Sequence, residues 1–342
     1  MIDVFDIADI DPGPSSFTGT EIIDGGFAAR PVSVCDQRSD VHWTILADDS
    51  IDPATEALNG AYGFSCMTVA FALSGGSSLG SIQVGVMQAL AAEGITPDLL
   101  VGTSAGAINA SWVAGGRPLD GLAEVWATLH RRDIFPLHPT VGLRAFMGRS
   151  DHFIPNTALR RMLRRLINFR LLEDAQIPVM LIATDAVTGD EVRLTAGPAV
   201  PAVLASAAIP GVFPPVEIEG RQLVDGGVVN NTPITAAIDA GATEVYVLST
   251  GFACTGTAVP KGAIAAALNA VGFLVQQRLI METERRTYPV PVHLVPAPCP
   301  LSVSPVDFSQ GADLTERARE RTGAWLKAGR PPARPAALHR HS

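Results

Sequence analysis

Charge and aromatic surface are both scarce in this chain. Of its 342 residues, 17% are charged and 6% aromatic. Basic side chains are outnumbered, 25 Lys and Arg against 34 Asp and Glu, for a formal net charge of −9. That balance argues against nucleic acid as a partner and against steering to anionic membranes, and leaves neutral or interfacial lipid open. Cysteine is also sparse. Cys35, Cys66, Cys254 and Cys299 are widely spaced, with no CxxC or Cys/His ligand pattern. A disulfide framework, a zinc site or any other metal site is therefore not expected, nor is a cofactor. No uninterrupted apolar run reaches the length needed to cross a bilayer. The opening "MIDVFDIADIDPGPSS" lacks the basic region and apolar stretch of a secretory signal, so a cytoplasmic location is the default expectation. There is no internal repeat.

What the chain has is apolar residues, 47% of the total, with abundant alanine and 32 glycines. This suits close packing of helices on a sheet and a substantial core. Residues 1–65 carry scattered Asp, Pro, Gly and Ser with weak periodicity, and read as an N-terminal extension. From Met67 the texture changes. "MTVAFAL" reads as a buried strand, "SGGSSLG" as a glycine loop, and "SIQVGVMQALAAEG" as a helix stopped by Gly94. "PDLLVG" and "SAGAINASWVAGG" repeat the strand-loop-helix order, the grammar of a parallel sheet covered by helices. "GLAEVWATLHRR" is helical, and "NTALRRMLRRL" is a basic amphipathic helix with Asn156 as its N-cap. "IPVMLIATDAVTGDEVRLTAG" gives two strands around Thr188-Gly189. The segment from Val200 to Thr250 alternates helix, strand, strand, helix and strand. A helix is expected over about Ala263 to Arg286, a last strand in "YPVPVHLVPAP" and a final helix in "DLTERARERTGAWLKAG". Residues 66–328 thus form one domain, and 329–342 read as a disordered tail.

The chemistry begins at "LVGTSAGAIN". Gly102 and Gly106 stand two positions either side of Ser104, at the end of an apolar run. A serine on a sharp strand-to-helix turn is crowded from both sides, and glycines remove the Cβ atoms that would clash. The turn exposes Oγ beside the positive end of a helix. The plain alternative is a βα turn with an incidental serine. Acyl transfer also needs oxyanion donors and a base. "LSGGSSLG" follows a buried strand and is neither GxGxxG nor followed by Gly-Lys-Ser/Thr, so oxyanion donors suit it better than a phosphate cradle. "RQLVDGGVVNNTP" places Asp225 at a strand end before Gly226 and Gly227, where a carboxylate can approach another loop. Asp-Gly is also a common turn pair, and "IIDGGF" at Asp24 shows how cheaply the tripeptide arises.

Taken together, "LSGGSSLGSIQVGVMQAL", "LVGTSAGAINA", "ATDAVTGDEV" and "SAAIPGVFPPVEIEGRQLVDGGVVNNTPI" resemble, in order and spacing, the blocks of bacterial patatin-like phospholipases. The resemblance covers about residues 67 to 300. It implies a three-layer α/β/α sandwich with a mostly parallel central sheet. It also implies a lipid acyl hydrolase with a Ser-Asp dyad and no catalytic histidine, acting on lipid or other acyl esters and touching a lipid interface transiently. On this sequence the nucleophile falls on Ser104, the base on Asp225, and the oxyanion donors on the backbone N–H groups of Gly75, Gly76 and Ser77. Two positions depart from the family's usual pattern: Ser77 stands where a third glycine is usual, and Leu79 where Arg or Lys is.

The nearest rival is a conventional α/β-hydrolase with a triad in the order Ser104, Asp225, His293. The competing view of His293, in "PVHLVPAP", is an ordinary strand residue. His130, His138 and His152 lie in a region that could cover the site, and His339 and His341 in the tail. A second rival, of a different class, is a non-catalytic nucleotide-binding or scaffold protein using the glycine loops. Phe135, Leu137, Phe146 and Phe153 suit an acyl channel or lid, or equally a core.

Overall fold

The computed structural model describes residues 68–136, 141, 147, 152–251, 272–275, 277–299, 301 and 303–332. The expected extension 1–65, most of the tail, and Cys35, Cys66, Cys254, Leu137, His138, Phe146, His339 and His341 lie outside the described residues, as does the first part of the helix expected from Ala263.

One mixed sheet organises the chain. Its strands are β1 (Val69–Leu73), β2 (Leu99–Thr103), β3 (Val179–Asp185), β4 (Glu191–Leu194), β5 (Val216–Ile218), β6 (Arg221–Asp225), β7 (Glu244–Leu248) and β8 (Val292–Leu294). The order is β5-β6-β3-β2-β1-β7-β8, with β4 paired to β3. Neighbours from β3 through β2, β1 and β7 to β8 run parallel, and β4, β5 and β6 add antiparallel pairings. The helices include α1 (Gly80–Ala92), α2 (Ala105–Ala114), α3 (Leu119–Thr128), α4 (Arg131–Ile134), α5 (Thr157–Leu166), α6 (Ala199–Ser206), α7 (Ile234–Asp239) and α8 (Gly311–Lys327).

Alternation along the central strands produces three layers. Phe71, Leu73, Leu100, Leu181 and Leu248 face one core, filled by α1, α2, α3, α5, α6 and α8. Ala70, Ala72, Leu99, Val101, Ile182 and Val247 face the other, where Ile234, Ala236 and Ala237 of α7 pack. Strands buried on both sides read as near-continuous apolar runs, which is why "VAFAL" and "LLVGT" carry so little polar signal. The result is the α/β/α sandwich that the family resemblance implies.

Several local expectations change. The helix expected through "GLAEVWATLHRR" breaks at Leu129, whose backbone is extended, and restarts as α4. The Asp133 carboxylate accepts the His130 N–H at 2.9 Å and so caps the new turn. Asn156 does stand at the N-cap of α5, but its side chain makes no cap bond. Its ψ of 7° lies outside the extended region from which a side chain reaches the first-turn N–H groups. Cys299 is disulfide-bonded, whereas the wide spacing of the cysteines gives no expectation of a disulfide framework. Phe135 belongs to the core, stacked on Phe213 with ring centroids 5.5 Å apart, whereas Phe153 is 49% exposed. After α8, Arg330 donates to the Tyr246 hydroxyl at 2.5 Å and Trp325 to the Pro331 carbonyl at 2.8 Å, which holds residues 330–331 against the core.

Candidate active site

Strand β3 acts as the common ruler. Thr103, the last residue of β2, lies across from Ile182, and Asp225, the last residue of β6, lies across from Ala183. Two chain segments 121 residues apart therefore end one strand position from each other. The Ser104 hydroxyl donates to Asp225 Oδ2 at 2.7 Å.

Ser104 occupies the strained turn that its glycines suggest, with φ 54° and ψ −117°. L-residues rarely adopt that geometry, and it persists only where the surroundings impose it. The surroundings are backbone. A Cβ on Gly102 would stand 2.5 Å from the Gly106 carbonyl oxygen, and one on Gly106 would collide with the Leu73 carbonyl. The Ser104 N–H donates to Ser206 Oγ at 3.0 Å, and that hydroxyl donates to the Ile182 carbonyl at 2.6 Å. Helix α2 starts at Ala105, so its positive end faces the serine.

Asp225 is 6% exposed. Its N–H donates to the Ala208 carbonyl at 2.9 Å, and the Thr184 hydroxyl donates to its carbonyl at 2.9 Å, which fixes the strand end. The carboxylate accepts two bonds, from Ser104 and from the Gly227 N–H at 2.7 Å. Burial raises its pKa from 3.8 to about 6, against the lowering effect of those bonds.

The 75–77 loop abuts this pair. A Cβ on Gly75 would lie 3.1 Å from Ser104 Cβ, and one on Gly76 would strike the Thr250 side chain. The three N–H groups are not equivalent. That of Gly75 donates to the Asn231 carbonyl at 3.1 Å and is unavailable to a ligand, contrary to expectation. The cause is long-range: β6 and the loop after it bring Asn231 alongside. The N–H groups of Gly76 and Ser77 have no partner among the described residues. The Gly75 carbonyl accepts from Thr250 Oγ1 at 2.9 Å and from Asn231 Nδ2 at 3.4 Å. A trans peptide directs its N–H opposite its carbonyl, so the Gly76 N–H points away from both side chains. Ser77 takes φ 53°, the left-handed region in which a glycine would be unstrained.

His293 stands apart. It sits on edge strand β8, its Nε2 3.0 Å from Glu244 Oε1 and its ring stacked on Tyr246 at 4.9 Å. Strands β1 and β7 separate β8 from β2, three sheet spacings or about 14 Å. A triad through His293 is thus not assembled. His130 is exposed and lies 3.7 Å from Asp133, and His152 is half-buried ahead of α5. No group of three His, Cys, Asp or Glu side chains among the described residues could hold a metal. Among them, too, no helix is long and apolar enough to cross a membrane. Ser206, Asn231 and Thr250 carry no local sequence signal, because their partners lie 102, 156 and 175 residues away.

A serine hydroxyl bonded to a buried carboxylate at the carboxyl edge of a mostly parallel sheet defines a class of α/β protein with a two-residue polar centre. Residues 71–238 match the family model described as patatin-like phospholipase. That match spans just under half of the chain, and over it the chain is similar to the patatin-like phospholipase family. It is 34% identical over 183 residues to an uncharacterized NTE family protein of Mycobacterium tuberculosis, covering 53% of this chain and 48% of that one. It is 31% identical over 189 residues to patatin-like phospholipase domain-containing protein 7 of Rattus norvegicus, covering 54% of this chain and 14% of that one. The chain thus matches about half the length of the first relative and far less of the second. Among solved structures, VipD from Legionella pneumophila aligns at a TM-score of 0.41 and 15% identity, over 77% of this chain and 67% of that one. That likeness is too distant to bear on function.

Proposed function

We propose that the protein is a serine-dependent carboxylic ester hydrolase acting on lipid or other acyl esters. Ser104 is the nucleophile, Asp225 the base, and the N–H groups of Gly76 and Ser77 the oxyanion donors. The observation that carries this reading is the 2.7 Å bond from the Ser104 hydroxyl to Asp225 Oδ2 on a turn with φ 54°.

Asp225 takes the hydroxyl proton as Oγ bonds to the acyl carbon. A carboxylate with a pKa near 6 is a better base than an exposed aspartate while remaining ionised at neutral pH. The carbonyl oxygen gains charge, which the two N–H groups and the α2 terminus stabilise. When the carbon–oxygen bond to the leaving group breaks, Asp225 returns its proton to the departing alkoxide. Water then attacks the acyl-serine, giving one proton to Asp225, and the acid leaves as Ser104 recovers that proton. The Gly227 N–H keeps Oδ1 occupied, so Oδ2 faces the serine throughout.

Ser104→Ala tests this directly. Ester hydrolysis and covalent labelling by a fluorophosphonate should fall at least about a thousandfold while the fold is retained. More than about one per cent residual activity in the folded variant overturns the assignment.

A further inference from the structure

Helix α5 carries a charge pattern that the chain's net charge conceals. Leu159, Leu163 and Leu166 are buried against α4 and α6. Helical spacing turns Arg160, Arg161, Arg164 and Arg165 to the opposite side. The last three are exposed and Arg160 is half-exposed. The helix contains no acidic residue, and among the described residues none of the four guanidinium groups has an ion-pair partner. Arg131 and Arg132, exposed on the adjoining α4, extend the same sign. Asp133, the acidic residue of α4, is occupied with His130.

Ahead of this helix an apolar side chain reaches solvent. Phe153, 49% exposed, precedes the helix, and its backbone is not loose. Its N–H donates to the Gly211 carbonyl and that of Ile154 to the Val212 carbonyl, both at 2.9 Å. The same turn supplies Ala208, whose carbonyl accepts the Asp225 N–H. The segment that carries the ring and leads into α5 is therefore tied to the turn that also holds the proposed base.

We propose that the outer face of α5, with Phe153 in the segment leading into the helix, docks on an anionic phospholipid bilayer. Guanidinium groups pair with lipid phosphates while the ring enters the interfacial layer. Acidic residues elsewhere do not cancel this, because salt screens charges beyond about 8–10 Å. Nucleic acid shares the phosphates but offers no acyl layer for the exposed ring, so a bilayer fits the pair of features better. The proposal deepens the reading of the site as a lipid hydrolase and rests on it for its purpose, but bilayer binding is measured without turnover.

The test is co-sedimentation of the full chain with phosphatidylglycerol–phosphatidylcholine vesicles and with pure phosphatidylcholine vesicles. The variants are Arg160→Gln/Arg161→Gln/Arg164→Gln/Arg165→Gln and the milder Arg164→Gln/Arg165→Gln, glutamine preserving helix propensity. Each basic side chain near an anionic surface strengthens binding about fivefold. The fourfold variant should bind anionic vesicles at least about a hundredfold more weakly, and the double variant about twentyfold. Wild-type binding should fall at least tenfold as salt rises from about 50 to about 500 mM. Hydrolysis of a water-soluble ester should stay within about threefold for both variants. Equal wild-type binding to both vesicle types, variants that bind like wild type, or tighter binding to duplex DNA than to anionic vesicles overturns the proposal. If the fourfold variant does not fold, the double variant and the salt series decide. If wild type hydrolyses no ester, the functional reading fails while the vesicle result still stands.

Discussion

Two glycine-bearing loops meet at Ser104 and are held by opposite means. At the Ser104 turn, glycines are required because backbone lies where a Cβ would be, at the carbonyls of Gly106 and Leu73. At the 75–77 loop the neighbours are mostly side chains, Asn231 and Thr250, which also bond the loop's peptide groups. The first loop is steric and local. The second is a hydrogen-bonding surface whose free donors depend on residues far along the chain. A motif reports the first kind of loop well and the second kind poorly.

The largest expected effect comes at the partner both loops serve. Asp225→Asn keeps the shape but removes the proposed base, and activity should fall about a thousandfold. Its stability should move the other way. Folded Asp225 titrates near 6 and unfolded near 3.8, so the folded state binds the proton more tightly. The contribution of Asp225 to stability is then greatest below about pH 4 and declines as pH rises through about 6, by about 3 kcal/mol for a shift of about two units. Above pH 7 the asparagine variant should melt higher than wild type, and the gap should close below pH 4. Parallel thermal melts at both pH values check this.

Gly106→Ala challenges the steric loop. Its methyl group meets the Leu73 carbonyl, and backbone cannot yield cheaply. Overpacking of this kind costs about 1–3 kcal/mol, and a displaced nucleophile costs about a hundredfold in turnover, both readable in one purified variant. Ser77→Gly challenges the donor loop and should do least. It removes a side chain from a residue at φ 53° while keeping the N–H. Activity within about threefold of wild type, with stability unchanged or up by about 1 kcal/mol, supports backbone donation. A loss beyond tenfold assigns the hydroxyl a role that backbone donation does not include.

Much of the fold was legible because strand ends, glycine loops and helices alternate in order, and buried parallel strands leave apolar runs such as "VAFAL" and "LLVGT". Ser104 was legible because two glycines at fixed spacing encode crowding, and Asp225 because a strand-end carboxylate before Gly226 and Gly227 is free to approach another loop. The loss of the Gly75 N–H was not legible, since its acceptor is a backbone carbonyl at residue 231. Ser206 and Thr250 were hidden for the same reason. The break at Leu129 depends on a competing cap from Asp133, which periodicity does not register. The basic face of α5 was visible as a helix, but a net charge of −9 pointed away from its significance. Totals describe long-range fields, whereas docking depends on the charges within a Debye length.

The central claim is that Asp225, and no histidine, takes the Ser104 proton. The most direct test is the pH dependence of the rate at which a neutral fluorophosphonate labels Ser104, compared in wild type, His293→Ala and Asp225→Asn. The account predicts a rate that rises with pH through an apparent pKa near 6 and then levels off, the same profile within about tenfold in His293→Ala, and at least about a hundredfold slower labelling at every pH in Asp225→Asn. A folded His293→Ala protein that labels as slowly as Asp225→Asn, or an Asp225→Asn protein that keeps the wild-type profile, would contradict it.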